Sequence, residues 1–306
     1  MKKTLIALAA LAAVGAASAQ VTVYGKADVG IANSTSGVQV VSGGYEGSRV
    51  GVKGTTDLGS GLTGSFQLEG GVSTVDGAFG GFTRVASASV SGGFGTVTAG
   101  RQWTLYDGAI YAMDALEYSS YTPQNALSAY DLGLGNVKGA IQYATPVMAG
   151  LQAQVLVAPN AVDATDVGVK NYSGYGLTYN QGPISLTLAT QSYNKSGDVQ
   201  SLALAGSYNL GPATIYLGNT TTDDKATSTK AVGNTFGLKV PMGAGYATVG
   251  YATNTATKAL ADTNSSSIAA QYIYNWNKSA VIYAAYRSTT TTVIVNTTAA
   301  GVRYNF

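Results

Sequence analysis

The sequence predicts an all-β fold, a 16-stranded antiparallel transmembrane β-barrel, and three observations carry that prediction. Charged residues are only 10% of the chain, against roughly 25% in soluble domains, while 40 Gly and 21 Tyr are conspicuous. No apolar run after residue 19 is long enough for a spanning helix. Instead, short turn clusters recur between segments that alternate apolar and polar residues, so the apolar signal is spread over every second position.

From the N-terminus, Lys2 and Lys3 make a short basic region, Leu5 to Val14 an apolar stretch, and Ala17-Ser18-Ala19 a small-residue cleavage site. Together these read as a secretory signal peptide over 1–19, too short in its apolar part to cross a bilayer of about 30 Å, with residues 20–306 forming the barrel domain.

Seven short turns then follow: "DLGSG" (57–61), "SGGFG" (91–95), "TPVMAG" (145–150), "NQGP" (180–183), "NLGP" (209–212), "VPMGAG" (240–245) and "NWNK" (275–278). Each joins two alternating segments as a hairpin does. The other connections, including 33–46, 104–135, 159–171 and 257–264, are variable and often longer, so the two ends of the barrel differ.

Seven hairpins give fourteen strands, and a first and a last strand complete sixteen: 21–31, 48–57, 62–75, 83–91, 96–103, 136–145, 151–158, 172–180, 184–194, 199–209, 213–222, 230–240, 246–256, 265–275, 280–290 and 295–306. Most are near ten residues, the length a tilted strand needs to cross a membrane. An even count lets the sheet close with both termini at the short-turn end.

Alternation sets the faces. In the first strand Val21, Val23, Ala27, Val29 and Ile31 share one side, and Thr22, Tyr24, Lys26 and Asp28 the other. Phe66, Leu68 and Val72 alternate with Ser65, Gln67 and Glu69, and Phe236, Leu238 and Val240 with Thr235 and Lys239. A greasy outside and a polar inside is the inverse of a soluble barrel. The Tyr excess fits the two bilayer–water boundaries, where an apolar ring and a wet hydroxyl are both accommodated. At the C-terminus Val302, Tyr304 and Phe306 continue the outward face to the last residue, which requires a partner strand to hold the end.

Composition removes most chemistry. With 0 His and 0 Cys, neither a Ser-His-Asp triad, a histidine metal site, a thiolate nor a disulfide is available. Without Lys2 and Lys3 the fifteen remaining Lys and Arg balance fifteen Asp and Glu, so nucleic acid is not an expected partner. The rival readings are a barrel enzyme with a carboxylate-based site, which this composition disfavours, and a secreted adhesin, which would need the opposite alternation.

The phrases "VTVYGKADVG", "SRVGVKGTTDLGSGLTGSFQLE", "GGFGTVTAGRQWTLYDG" and the terminal "GVRYNF", in this order, resemble the general porins of the Gram-negative outer membrane, in particular the β-proteobacterial type. The resemblance implies a homotrimer with a water-filled pore through each subunit, passing ions and small hydrophilic solutes by passive diffusion, without a cofactor. The alternative is a substrate-specific outer-membrane channel for a sugar or an anion. It also implies contact with outer-membrane lipid and lipopolysaccharide, and recognition of the Val302, Tyr304, Phe306 end by the barrel-assembly machinery.

In that family the third loop folds inward and narrows the pore. Here 104–135 takes its place, carrying Asp107, Asp114, Glu117 and Asp131, with "SSYTPQN" where many relatives have a Pro-Glu-Phe-Gly turn. Against this acidic side the resemblance sets a basic wall of Arg49, Lys53, Arg84 and Arg101; Glu69, Lys138 and Arg303 are further pore-lining candidates by parity. A charge facing lipid at mid-depth would cost about 2–4 kcal/mol, which favours the lumen for all of them. The expected outcome is a modest anion preference to which Arg101 contributes more than Arg303.

Overall fold

The computed structural model describes residues 19–126, 135–159, 170–194, 197–257 and 263–306. The expected signal peptide, apart from Ala19, and the stretch of the third loop with Asp131 lie outside the described residues.

The chain forms β1 (Ala19–Ser34), β2 (Gly37–Ser42), β3 (Arg49–Gly59), β4 (Leu62–Gly71), β5 (Val85–Gly92), β6 (Gly95–Trp103), α1 (Leu105–Ala112), β7 (Asn136–Ala144), β8 (Leu151–Ala158), β9 (Lys170–Gln181), β10 (Ile184–Asn194), β11 (Asp198–Asn209), β12 (Thr214–Asp224), β13 (Thr229–Met242), β14 (Gly245–Thr257), β15 (Thr263–Asn275), β16 (Ala280–Thr290) and β17 (Ile294–Asn305). From β3 to β17 each strand pairs antiparallel with the next, and β1 closes the ring between β17 and the β2–β3 pair.

The seven hairpin turns read from sequence lie where expected, and the sheet is a closed barrel of sixteen strands. Seventeen segments make sixteen positions because β2 and β3 share one. The lower half of β1 pairs with β3 (Lys26 opposite Arg49) and its upper half with β2 (Val29 opposite Ser42). The connection expected over 33–46 is therefore partly strand, and beyond the two-residue turn at 35–36 only 43–48 leaves the sheet. Gly43, with φ at +71°, begins that departure, a conformation glycine adopts without steric cost.

Closure at the termini is direct. The Gly25 amide donates to the Phe306 carbonyl at 2.9 Å, and the Phe306 amide to the Gly25 carbonyl at 3.2 Å. A Cβ at Gly25 would collide with the Phe306 ring, so a glycine is what lets the terminal ring lie against the wall. Outside, Val21, Val23, Val29, Ile31, Val302 and Tyr304 are exposed, as a lipid-facing surface must be.

The largest packed cluster lies inside the barrel. Tyr106, Ala109, Ile110 and Met113 of α1 and its end bury against Ala189, Ala203, Ala205, Ala231 and Ala252 on β10, β11, β13 and β14. Small side chains on this wall leave room for a helix, and three glycines deepen it. A Cβ at Gly237 would lie 2.5 Å from Ala115 Cβ, one at Gly250 2.9 Å from Leu116 Cδ1, and one at Gly218 would strike Met113. The third loop is thus seated on β10 to β14, opposite the charged strands β1 to β5.

Candidate functional site

The excursion at 43–48 turns inward around one carboxylate. Asp28, fully buried on β1, accepts from the amides of Gly44 (3.0 Å), Tyr45 (3.0 Å) and Glu46 (2.9 Å), and from the Tyr283 hydroxyl at 2.9 Å. Three successive amides on one carboxylate fix the backbone there, and so fix where Glu46 points.

Glu46 gathers three cations. Lys26 donates to both its oxygens, at 2.5 and 2.6 Å, Arg49 approaches at 3.4 Å, and Arg303 pairs with Oε2. Arg303 also lies over the Tyr45 ring, 4.7 Å from its centroid. One step along the wall, Glu69 takes Arg84 Nε at 2.7 Å and stands 3.9 Å from Arg49, while accepting from the Tyr24 hydroxyl at 3.0 Å. Arg84 stacks on Trp103 with its guanidinium 5.0 Å from the ring centroid.

The loop supplies the facing side. Thr104 caps α1 by accepting from the Asp107 amide, which sets Asp107 in the first turn. Glu117, at φ +58°, pairs with Lys239 of β13 and accepts from Tyr45 (2.5 Å) and Tyr246 (2.8 Å). Burial would raise the Glu117 carboxyl, but the bonds from Lys239 and Tyr45 outweigh it and hold the group below its usual range. Ser120 donates from its amide to Gly44 O at 3.1 Å and from its hydroxyl to Gly43 O at 2.8 Å, and Arg287 donates to Ser120 O at 2.9 Å. The loop is therefore strapped to the 43–48 excursion as well as seated on the opposite wall.

Between these elements lies a cavity of about 450 Å³ lined by Glu46, Arg49, Arg84, Asp107, Tyr111 and Glu117, among others. Of the residues singled out from sequence, Arg49, Arg84, Asp107 and Glu117 meet there, with Glu69 and Arg303 joined to them through ion pairs. Lys53 stands elsewhere, in a second cavity.

Three residues lie apart from the group. Asp114 is buried and accepts from the amides of Leu116 (2.9 Å) and Tyr118 (2.7 Å), so it shapes the loop; burial pushes its carboxyl up to about 6. Arg101 shares the phase of exposed Val97 and Ala99, opposite Ala86, beside Gly100 at φ +124° and a register shift against β7. Its guanidinium reaches the Thr83 carbonyl and the Asn136 side chain. Lys138 is exposed between Val137 and Ala140, where the pairing of β6 and β7 is interrupted.

Sequence reasoning missed Glu46, which lay in a stretch read as a variable loop. It placed Lys26, Asp28 and Lys239 on the inner face without nominating them, although two-residue alternation alone pointed them at the pore.

A family model described as Gram-negative porin matches residues 4–293. The chain belongs to that family. Among relatives, outer membrane porin protein 32 of Delftia acidovorans is 34% identical over 238 residues, covering 70% of this porin and 68% of that one. A major outer membrane protein P.IB of Neisseria gonorrhoeae is 34% identical over 170 residues, 52% of this porin and 49% of the relative, so the match spans about half of that protein. Among solved structures, the anion-selective porin from Comamonas acidovorans superposes with a TM-score of 0.82 at 24% identity, over 94% of this porin and 100% of that chain. The in-vitro folded trimer form of OmpT of Vibrio cholerae gives 0.75 at 15% identity, over 94% of this porin and 100% of that chain. At these identities the structural likenesses establish the fold. The porin is an outer-membrane β-barrel whose function is that of a channel for passive diffusion.

Proposed function

We propose that the cavity between the third loop and the wall of β1 to β5 is the constriction of the pore, and that it gives the porin a modest anion preference. The observation that carries this is the charge inventory. Five basic side chains, Lys26, Arg49, Arg84, Arg303 and Lys239, are shared among the carboxylates Glu46, Glu69 and Glu117, with Asp107 as the one further acid lining the cavity among the described residues. Local charge at the narrow point outweighs the near-neutral total, because screening limits the reach of distant charges to about 10 Å at 0.1 M salt. Paired but partly exposed charges across a wet gap order water and favour small polar solutes.

No catalysis is part of this reading: 0 His and 0 Cys leave no histidine or thiolate chemistry. The proposed assembly is a homotrimer in contact with outer-membrane lipid and lipopolysaccharide, for which the shared fold with a trimer-forming OmpT is the support. The exposed Val302, Tyr304 and Phe306 are the proposed signal for the assembly machinery. Cleavage after Ala19 would leave Gln20 first, one residue into the strand that closes the barrel.

Planar-bilayer recording in a KCl gradient tests the constriction. Arg303→Glu places a second carboxylate beside Glu46 and should move the zero-current potential toward cation preference. Arg101→Glu should move it less, since Arg303 is paired with Glu46 of the cavity lining whereas the Arg101 guanidinium reaches the Thr83 carbonyl and Asn136. A larger effect at Arg101 would place the constriction at the β6 bulge instead.

A further inference from the structure

We infer that this porin carries a second solute site on its wall, at the short-turn side of the constriction, suited to a small monovalent anion rich in hydroxyls, such as a sugar acid. The inference rests on the channel function and adds a binding step to it.

Four residues along β3 from Arg49, or about 13 Å at the usual rise, Lys53 projects into a separate cavity of about 520 Å³. Register builds the lining. Thr22, Lys53, Gln67 and Ser87 stand opposite one another across β1, β3, β4 and β5. The next row toward the turns is Gln20, Thr55, Ser65, Ser89 and Thr98, reaching β6. Adjacent strands are about 4.8 Å apart, so the rows offer hydroxyl and amide groups at regular steps across some five strands.

The charge differs from that of the constriction. There Lys26, Arg49, Arg84, Lys239 and Arg303 each pair with a carboxylate; here Lys53 is the only charged lining residue and has no ion-pair partner among the described residues. Its ammonium lies 5.1 Å from the centroid of the Tyr24 ring. That ring rests on Gly51, where a Cβ would come within 2.5 Å of it, and its hydroxyl is held by Gln67 at 2.7 Å and by Glu69. The ring is thus fixed, and it supports the ammonium without neutralising it.

The hydroxyls are available too. Ser65 and Ser89 bond each other at 2.6 Å, whereas Thr22, Thr55, Ser87 and Thr98 make no side-chain hydrogen bond among the described residues. A surface with one uncompensated positive charge and rows of groups that both donate and accept suits a solute with one carboxylate and several hydroxyls. A dianion would bring a charge this wall does not match. A neutral polyol would leave the ammonium unused.

The test is block of single-channel KCl current by potassium gluconate, with sorbitol and hexanoate as comparison solutes, added to each side in turn. Gluconate should reduce the current. Lys53→Gln should raise the half-blocking concentration about tenfold, the scale of one charged hydrogen bond, and Lys53→Arg should keep it near the original. Thr55→Val with Ser87→Ala should weaken gluconate about threefold and leave hexanoate unchanged. Equal block of wild type and Lys53→Gln overturns the site, as does sorbitol block that depends equally on Lys53. Loss of all KCl current in the unmodified protein would instead count against the channel function, so the two failures are distinguishable.

Discussion

Glu46→Gln isolates the effect of a single carboxylate on selectivity, because the change keeps the shape of a side chain that three cations share. The amides of residues 44–46 remain held by Asp28, so the excursion keeps its path. A cavity of about 450 Å³ has an equivalent radius of about 5 Å, and that sets the distance from an ion on the axis to the wall. One charge at about 5 Å is worth roughly 0.8 kcal/mol in water, or about 0.5 kcal/mol after screening at 0.1 M salt. The sign is opposite for chloride and potassium, so the permeability ratio should move about fivefold toward chloride. In a tenfold KCl gradient that is a shift on the order of 20 mV in zero-current potential. The measurement is made on protein whose unheated gel mobility shows a folded barrel. A shift under a few millivolts, or one toward potassium, would mean that Lys26, Arg49 and Arg303 do not govern ion entry.

Two further predictions follow from the loop. Burial, opposed by Arg84 and the Tyr118 hydroxyl, holds the Asp107 carboxyl up at about 7. The folded barrel therefore keeps a proton that the unfolded chain loses near pH ~4, so this group's contribution to stability falls as pH rises through that window, and anion preference falls as it ionises near 7. Asp107→Asn should flatten the reversal potential between about pH 6 and 8, and a wild-type potential already flat there would refute the assignment. Gly237→Val forces a side chain into Ala115, at a cost of about 1–3 kcal/mol, and should push the loop toward the cavity and lower single-channel conductance. Unchanged conductance together with unchanged thermal stability would show that the loop does not rest on that glycine.

The barrel was legible because its physics is local. Val21, Val23, Val29 and Ile31 needed only their two-residue spacing to be placed outside, and each hairpin announced itself in a few turn residues. The division of one strand position between β2 and β3 was not legible. Its cause is the Asp28 carboxylate drawing the amides of 44–46 inward, an interaction between residues that no short-range pattern connects. Glu46 was lost for the same reason. The glycine and alanine seat for α1 was equally hidden, because Gly218, Gly237 and Gly250 acquire a purpose only when the loop lies over them.

Alternation fails first where the ladder is irregular, and the two arginines weighed from sequence mark that boundary. Arg303 sits in an unbroken strand, opposite Asp28 on β1 and Val281 on β16, so parity placed it inside and it meets Glu46. Arg101 follows a glycine at φ +124° at a register shift, where one residue out of step exchanges the two faces. Motif resemblance carried Arg101 onto the basic wall, whereas the geometry holds it at the Thr83 carbonyl and Asn136. Strand parity therefore suffices to place Arg303 beside Glu46, where the ladder is regular. Beside a bulge, only the observed partners decide.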